Sequence, residues 1–166
     1  MDLTQREPTT EVLRMCRMYL YSGMEVASCV LEFSNKYKCE ITNLMLQNIL
    51  YYIQLNFLKK YHEPIFSDDI IALRFGPCVQ DVYDRFNAFT RFPIYCPDIE
   101  SCIDDIEVRI LIHQVVNACT FLEGWQLAER AQKKGGPWHQ TFWNGRKVIP
   151  KVIPIEVMKK YVEEKG

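Results

Sequence analysis

At 166 residues, with 48% apolar and 25% charged side chains, the chain has the make-up of one globular domain and excludes a disordered or low-complexity protein. Its formal net charge of −1 argues against DNA or RNA as the principal ligand, because neutralising phosphates takes a strong positive excess. No apolar run approaches the roughly 18 residues of a membrane span, and Arg14 and Arg17 interrupt the stretch where a secretory signal would carry its apolar core.

The first ten residues are polar; Val12, Met15, Cys16, Tyr19 and Leu20 then fall at helical spacing and stop near Ser22-Gly23, which predicts a short amphipathic helix. A second helix is predicted from Met24 to Tyr37 with Val26, Val30 and Phe33 facing inward. The clearest period follows Thr42: Leu46, Ile49, Leu50, Ile53 and Phe57 repeat along one face and mark a core-facing third helix. His62-Glu63-Pro64 ends it. The stretch from Ile65 to Phe75 is too short and too β-branched for another helix, so one or two short strands are predicted between the third and fourth helices.

Gly76-Pro77 reads as a boundary with a helix opening at Pro77, since proline suits the first helical position. Its inward face would be Val79, Val82, Tyr83 and Phe86, with Asp81 and Arg85 paired on the wet side. Arg91 to Pro97 is a loop. Ser101-x-x-Asp104 resembles a helix start, and from Ile110 to Cys119 only a narrow stripe of His113, Gln114 and Asn117 is polar, the pattern of a central helix. Thr120-x-x-Glu123 reads as a capping box for a helix carrying Trp125 and Leu127 and ending at Gly135-Gly136. An irregular stretch then holds Pro137, Trp138, His139 and Trp143, and Pro154 opens a last helix with Ile155, Met158 and Tyr161 inward. The expected fold is mainly α: a single compact helical domain with a small β element.

The residues offer little to a catalytic reading. His62, His113 and His139 stand alone, without the paired spacing of a metal site. His113, beside Asn117, reads as a core polar group with its hydrogen bonds satisfied. The seven cysteines are odd in number, include no C-x-x-C pair and read as free thiols, which places the chain in the reducing cytoplasm. Cys78, just after Pro77, would sit in a first helical turn where the dipole can acidify a thiol, yet no histidine accompanies it and packing is the simpler role. Asp68-Asp69 and Asp104-Asp105 are adjacent carboxylates, which do not face each other as an acid/base pair must, and read as solvated. No catalytic residue, metal ligand or cofactor-binding residue is assigned; Cys96, Cys102 and His113 would be the first ligands to test were zinc found. A mildly basic C-terminal stretch, including Arg146, Lys147 and Lys151, reads as a solvated face.

Tyrosine and tryptophan supply large contact area at few rotatable bonds and are enriched at interface hot spots. Tyr51, Tyr52, Trp125, Trp138, His139 and Trp143 are more polar-tipped than a closed core requires, yet core packing is the simpler reading of each taken singly, and Tyr51 and Tyr52 cannot both face the same way on one helix. Two tryptophans within six residues of a Gly-Gly-Pro-Trp stretch nevertheless place a partner-binding surface at Trp138, His139 and Trp143, with help from Tyr52.

The series Ile41-Thr42-Asn43-Leu44-Met45-Leu46-Gln47-Asn48-Ile49-Leu50-Tyr51-Tyr52, then Glu63-Pro64-Ile65-Phe66, Ile70 to Phe75, Gly76-Pro77-Cys78-Val79 and Val82-Tyr83 resembles the Panacea domain of SocA-like antitoxins and phage-associated GepA-like proteins. Trp125-Gln126-Leu127 and Pro137-Trp138 sit where that family has its "W-x-L" and "P-W". The chain departs from the pattern at Met45 and Asn48, where lysines are usual, at Leu73 in place of a tryptophan and at Gln80 in place of a proline. The resemblance implies two regions, an N-terminal extension with a short helix over 1–23 and a Panacea domain over 24–166. It also implies a non-catalytic antitoxin that neutralises a cognate toxin protein by direct binding, in some relatives as an adaptor to the ClpXP protease. The alternative is a phage or prophage protein of the same domain that binds another host or phage protein.

Overall fold

The computed structural model describes residues 21–143 and 151–166; the helix expected around residues 12–20 lies outside the described residues, as do Arg146 and Lys147. The described chain is mainly α, as expected. Its helices are α1 (Gly23–Tyr37), α2 (Asn43–Tyr61), α3 (Gln80–Phe86), α4 (Ile106–Cys119), α5 (Gly124–Ala131), α6 (Pro137–Phe142) and α7 (Ile155–Lys165). The strands are β1 (Ile71–Leu73), β2 (Gly76–Cys78) and β3 (Lys151–Val152), in the order β2-β1-β3, antiparallel throughout. No described helix is long and apolar enough to cross a membrane.

Helix α2 is the centre of the molecule. Thr42 caps it, its hydroxyl accepting from the Met45 N–H at 3.2 Å; no glycine or proline interrupts the next nineteen residues, and His62 closes it in the left-handed region at φ 60°. The predicted stripe of Leu46, Ile49, Leu50, Ile53 and Phe57 is wholly buried. So are Asn43, Gln47, Asn48, Tyr51 and Gln54 on its other faces, since α1, α4, α5 and α7 pack around it. The centre is therefore α2 and not 110–119, where Ile110, Gln114 and Asn117 are exposed. Polarity hid this: the buried amides of α2 grip the backbone of the segments that follow it. Gln47 Oε1 accepts from the Val79 N–H at 2.8 Å, Asn43 Nδ2 donates to the Tyr83 carbonyl at 3.0 Å, and Gln54 takes the Ile65 N–H at 2.9 Å while donating to the Phe66 carbonyl at 3.1 Å. Each bond ties a buried side-chain amide to the backbone of a neighbouring segment.

Helix α1 opens with a capping box between Ser22 and Glu25, and the Gly23 N–H donates to Asp68 Oδ1 at 2.7 Å. Asp68 is thus a helix-terminal acceptor rather than a solvated partner of Asp69, and Asp105 acts likewise, taking the Val108 N–H at 3.2 Å as the N-cap of α4. The long connection from α3 to α4 is pinned by Glu32, which accepts from the Ser101 N–H at 2.7 Å and pairs with Arg109 at 2.5 Å; Arg109 in turn donates to the Ile103 carbonyl. These bonds hold the Glu32 carboxyl below the usual range, with the Ser101 N–H the leading cause.

Several boundaries differ from expectation. Gly76-Pro77 does not open a helix: Gly76 (φ 127°) closes the two-residue turn Arg74-Phe75 and pairs with Leu73, Pro77 pairs with Ala72, and α3 begins at Gln80. Tyr83 of α3 is correspondingly exposed. Helix α4 starts after Asp105, not Ser101. Thr120 belongs to the end of α4, its hydroxyl donating to the Asn117 carbonyl, and the capping box of α5 is Glu123 with Gln126. Helix α5 ends at Ala131, four residues short of the glycines, and the supposedly irregular 137–142 is helix α6, opened by Pro137 at its first position. The third strand was not anticipated; two residues bounded by prolines leave no period to read.

Candidate functional site

Cys78 ends β2 instead of starting a helix; burial pushes its thiol up to about 11, with Asp84 adding to the shift, so the activating dipole is absent. The described cysteines, Cys29, Cys39, Cys78, Cys96, Cys102 and Cys119, carry free thiols. His113 packs 4.7 Å from the Phe33 ring; its Nε2 is buried and has no hydrogen-bond partner, contrary to the satisfied core histidine expected from sequence. Burial first, then the nearby Arg109 charge, lowers its pKa from the ordinary histidine value. Among the described residues no three His, Cys, Asp or Glu side chains gather as metal ligands would.

The aromatic candidates separate into two places. Tyr51 is buried, whereas its neighbour Tyr52 is half-buried, as the helical geometry requires of adjacent positions. Burial raises both phenols, that of Tyr52 to about 12. Trp138 is only 3% exposed: its Nε1–H donates to the Leu73 carbonyl at 2.8 Å and its ring stacks on Phe142 at 4.6 Å. Phe142 meets Trp143 edge-on at 5.3 Å, and Trp143 is 67% exposed. His139 lies 6.4 Å from Trp143, its Nδ1 accepting from the Gly135 N–H at 3.4 Å. Trp138 is thus the buried mount of an exposed Trp143, with His139 alongside.

Tyr52 looks elsewhere. It lines a cleft of about 670 Å³ between α2, α4 and α5 whose walls include Leu111, Val115, Leu127 and Arg130 and none of Trp138, His139 or Trp143. Tyr52 and Arg130 also border a second cleft of about 650 Å³ with Trp125, Lys133 and Tyr161. Trp125 and Glu129 carry on into a third of about 520 Å³ with Leu44, Arg74 and Phe75. The three share walls and form one strip across α5, from the α2–α4 groove to the β1–β2 turn. Trp125 is 63% and Phe75 75% exposed along it. Core packing, the simpler reading of Trp125 from sequence, does not hold, and Phe75 gave no sign of being a surface group. A signal existed for Trp125: Leu127, Ala128 and Ala131 set the inner face of α5, and Trp125 stands about 200° round the helix from Leu127.

A family model for the antitoxin SocA-like, Panacea domain matches residues 46–139, more than half of the chain, a span that holds Tyr52, Trp125, Trp138 and His139 and stops before Trp143. No curated protein and no solved structure matches the chain. With a helical fold built around the very segment that matches, the chain belongs to the SocA-like antitoxin family of Panacea domains.

Proposed function

We propose that this chain is a non-catalytic antitoxin that neutralises a cognate toxin protein by binding it directly in the cytoplasm. The family match over 46–139 carries the reading, since the family implies an antitoxin-type role with a toxin protein as partner. The surface supports it: Tyr52, His139 and Trp143 offer aromatic area to a partner, and Trp138 holds Trp143 in place through Phe142. The buried, proton-retaining Cys78 and the solitary histidines lend no support to a nucleophile.

Co-expression of the chain with each neighbouring gene product, scored by growth rescue and by pull-down, tests the proposal. A neighbour that is toxic alone, tolerated in the presence of this chain and recovered in complex with it is the expected result. Toxin half-life, followed with and without ClpXP, reads whether neutralisation includes delivery to the protease. Rescue without any complex, or a turnover that Cys78→Ala or His139→Ala abolishes in a folded protein, would replace binding with catalysis.

A further inference from the structure

We infer that the strip across α5 is the seat of an acidic, apolar-faced segment of a partner protein, a deepening that rests on the antitoxin reading only in making the partner a protein. The strip is aromatic and basic together. Trp125 and Phe75 stand well out of the surface, with half-buried Tyr52 and Tyr161 between the clefts. Lys59, Lys60, Arg74, Arg130 and Lys133 border the same three clefts, against the single carboxylate of Glu129 among the described residues.

This local excess sits on a chain whose formal net charge is −1. Basic residues have therefore been gathered here against the balance of the molecule, and charge complementarity selects a partner segment carrying carboxylates. Apolar walls at Leu111, Val115 and Leu127 below a rim of lysines and arginine suit the apolar face of an amphipathic helix, with its acidic flanks meeting the rim. Helix α5 itself presents Trp125, Glu129 and Arg130 outward, with Lys133 two residues beyond its end, so most of these contacts come from a rigid element, and little ordering entropy is lost on docking. A phosphate backbone would meet the same basic groups. Glu129 within the strip and the absence of a positive excess in the chain as a whole favour protein over nucleic acid.

The test uses the full chain and a phage-displayed library of amphipathic helical peptides with randomised polar positions. Peptides rich in Asp and Glu beside Leu, Phe or Trp should be enriched, and their binding should weaken with added salt. Trp125→Ala should weaken the selected peptides at least about 30-fold and Arg130→Glu with Lys133→Glu at least about 10-fold, with melting temperatures unchanged. Phe121→Ala and Lys36→Glu, on other faces, should bind as the parent does. No enrichment, enrichment of basic peptides, or peptides that bind the Trp125 and Arg130/Lys133 variants undiminished would overturn the inference. So would a single-stranded RNA oligonucleotide that binds at physiological salt and is released by the same variants, or a homodimer in sedimentation that those variants dissolve. Growth rescue by a neighbour-encoded toxin that persists in the strip variants removes the strip and leaves the antitoxin reading intact. Peptide selection without any neighbour that is rescued does the reverse.

Discussion

Trp125 and Trp138 begin alike and end in opposite environments. Each stands in the first turn of a short helix directly after a glycine or Gly-Pro, yet Trp138 is 3% and Trp125 63% exposed. The difference lies in what crosses from elsewhere in the chain. Strand β1 brings the Leu73 carbonyl over Trp138 to receive its N–H, and Phe142, one turn on, covers its ring. Helix α5 instead turns Leu127, Ala128 and Ala131 to the core, which leaves Trp125 on the far side. A tryptophan is drawn inside when its one polar atom finds a partner there.

The largest expected effect falls on the buried member. Trp138→Ala should cost about 3–5 kcal/mol of stability in chemical denaturation, because it removes a packed ring together with its bond to the Leu73 carbonyl; a loss below about 1 kcal/mol would make the two tryptophans equivalent. Trp125→Ala should leave stability within about 0.5 kcal/mol and cost at least about 2 kcal/mol of binding to the acidic peptides or to the toxin, read by calorimetry. Trp138→Phe keeps an aromatic ring and loses the N–H, so it isolates the bond to Leu73, with an expected cost of about 1–3 kcal/mol.

A smaller effect separates the two sites by pH. Burial is the leading cause that raises Tyr51, which hydrogen-bonds the Trp138 backbone, and Tyr52, which borders the Trp125 cleft and reaches about 12. The folded chain keeps these protons where the unfolded chain has released them. Their contribution to stability is accordingly complete below the ordinary value of 10.0 and is lost as pH rises from there towards about 12. Urea titrations at about pH 9 and about pH 11 should show the loss, and Tyr52→Phe should reduce it; a slope unchanged in that variant would assign the effect to Tyr51 and to the buried thiols of Cys78 and Cys119, which burial also raises.

What was legible followed from local rules. The α2 stripe repeats at 3.6 residues with a good N-cap before it and a proline after it, and every member is buried. The polar side of the same helix was not legible, because Gln47 and Gln54 are buried for partners at Val79, Ile65 and Phe66 that only the fold brings close. Gly76-Pro77 misled for a related reason: the dipeptide fits a helix start and also the far side of a tight hairpin, and pairing with Leu73 and Ala72 decides between them. Of the aromatic candidates, Tyr52 and Trp143 have surface by position, whereas the burial of Trp138 depends on Leu73, 65 residues earlier. The basic rim escaped because its members come from α2, the hairpin turn, α5 and the residues just after it, and no stretch of sequence carries the cluster whole.

Residues 46–139, by which the family is recognised, do not coincide with what must fold together. A fragment cut to those limits would begin inside the first turn of α2 without the Thr42 cap or the Asn43 bridge to Tyr83. It would also lack Val26 and Val30 of α1 and Met158 and Val162 of α7, which close the core against α2 from either side. The recognisable segment is the middle of a cooperative unit, and a piece trimmed to it should be recovered as aggregate rather than as a small working antitoxin.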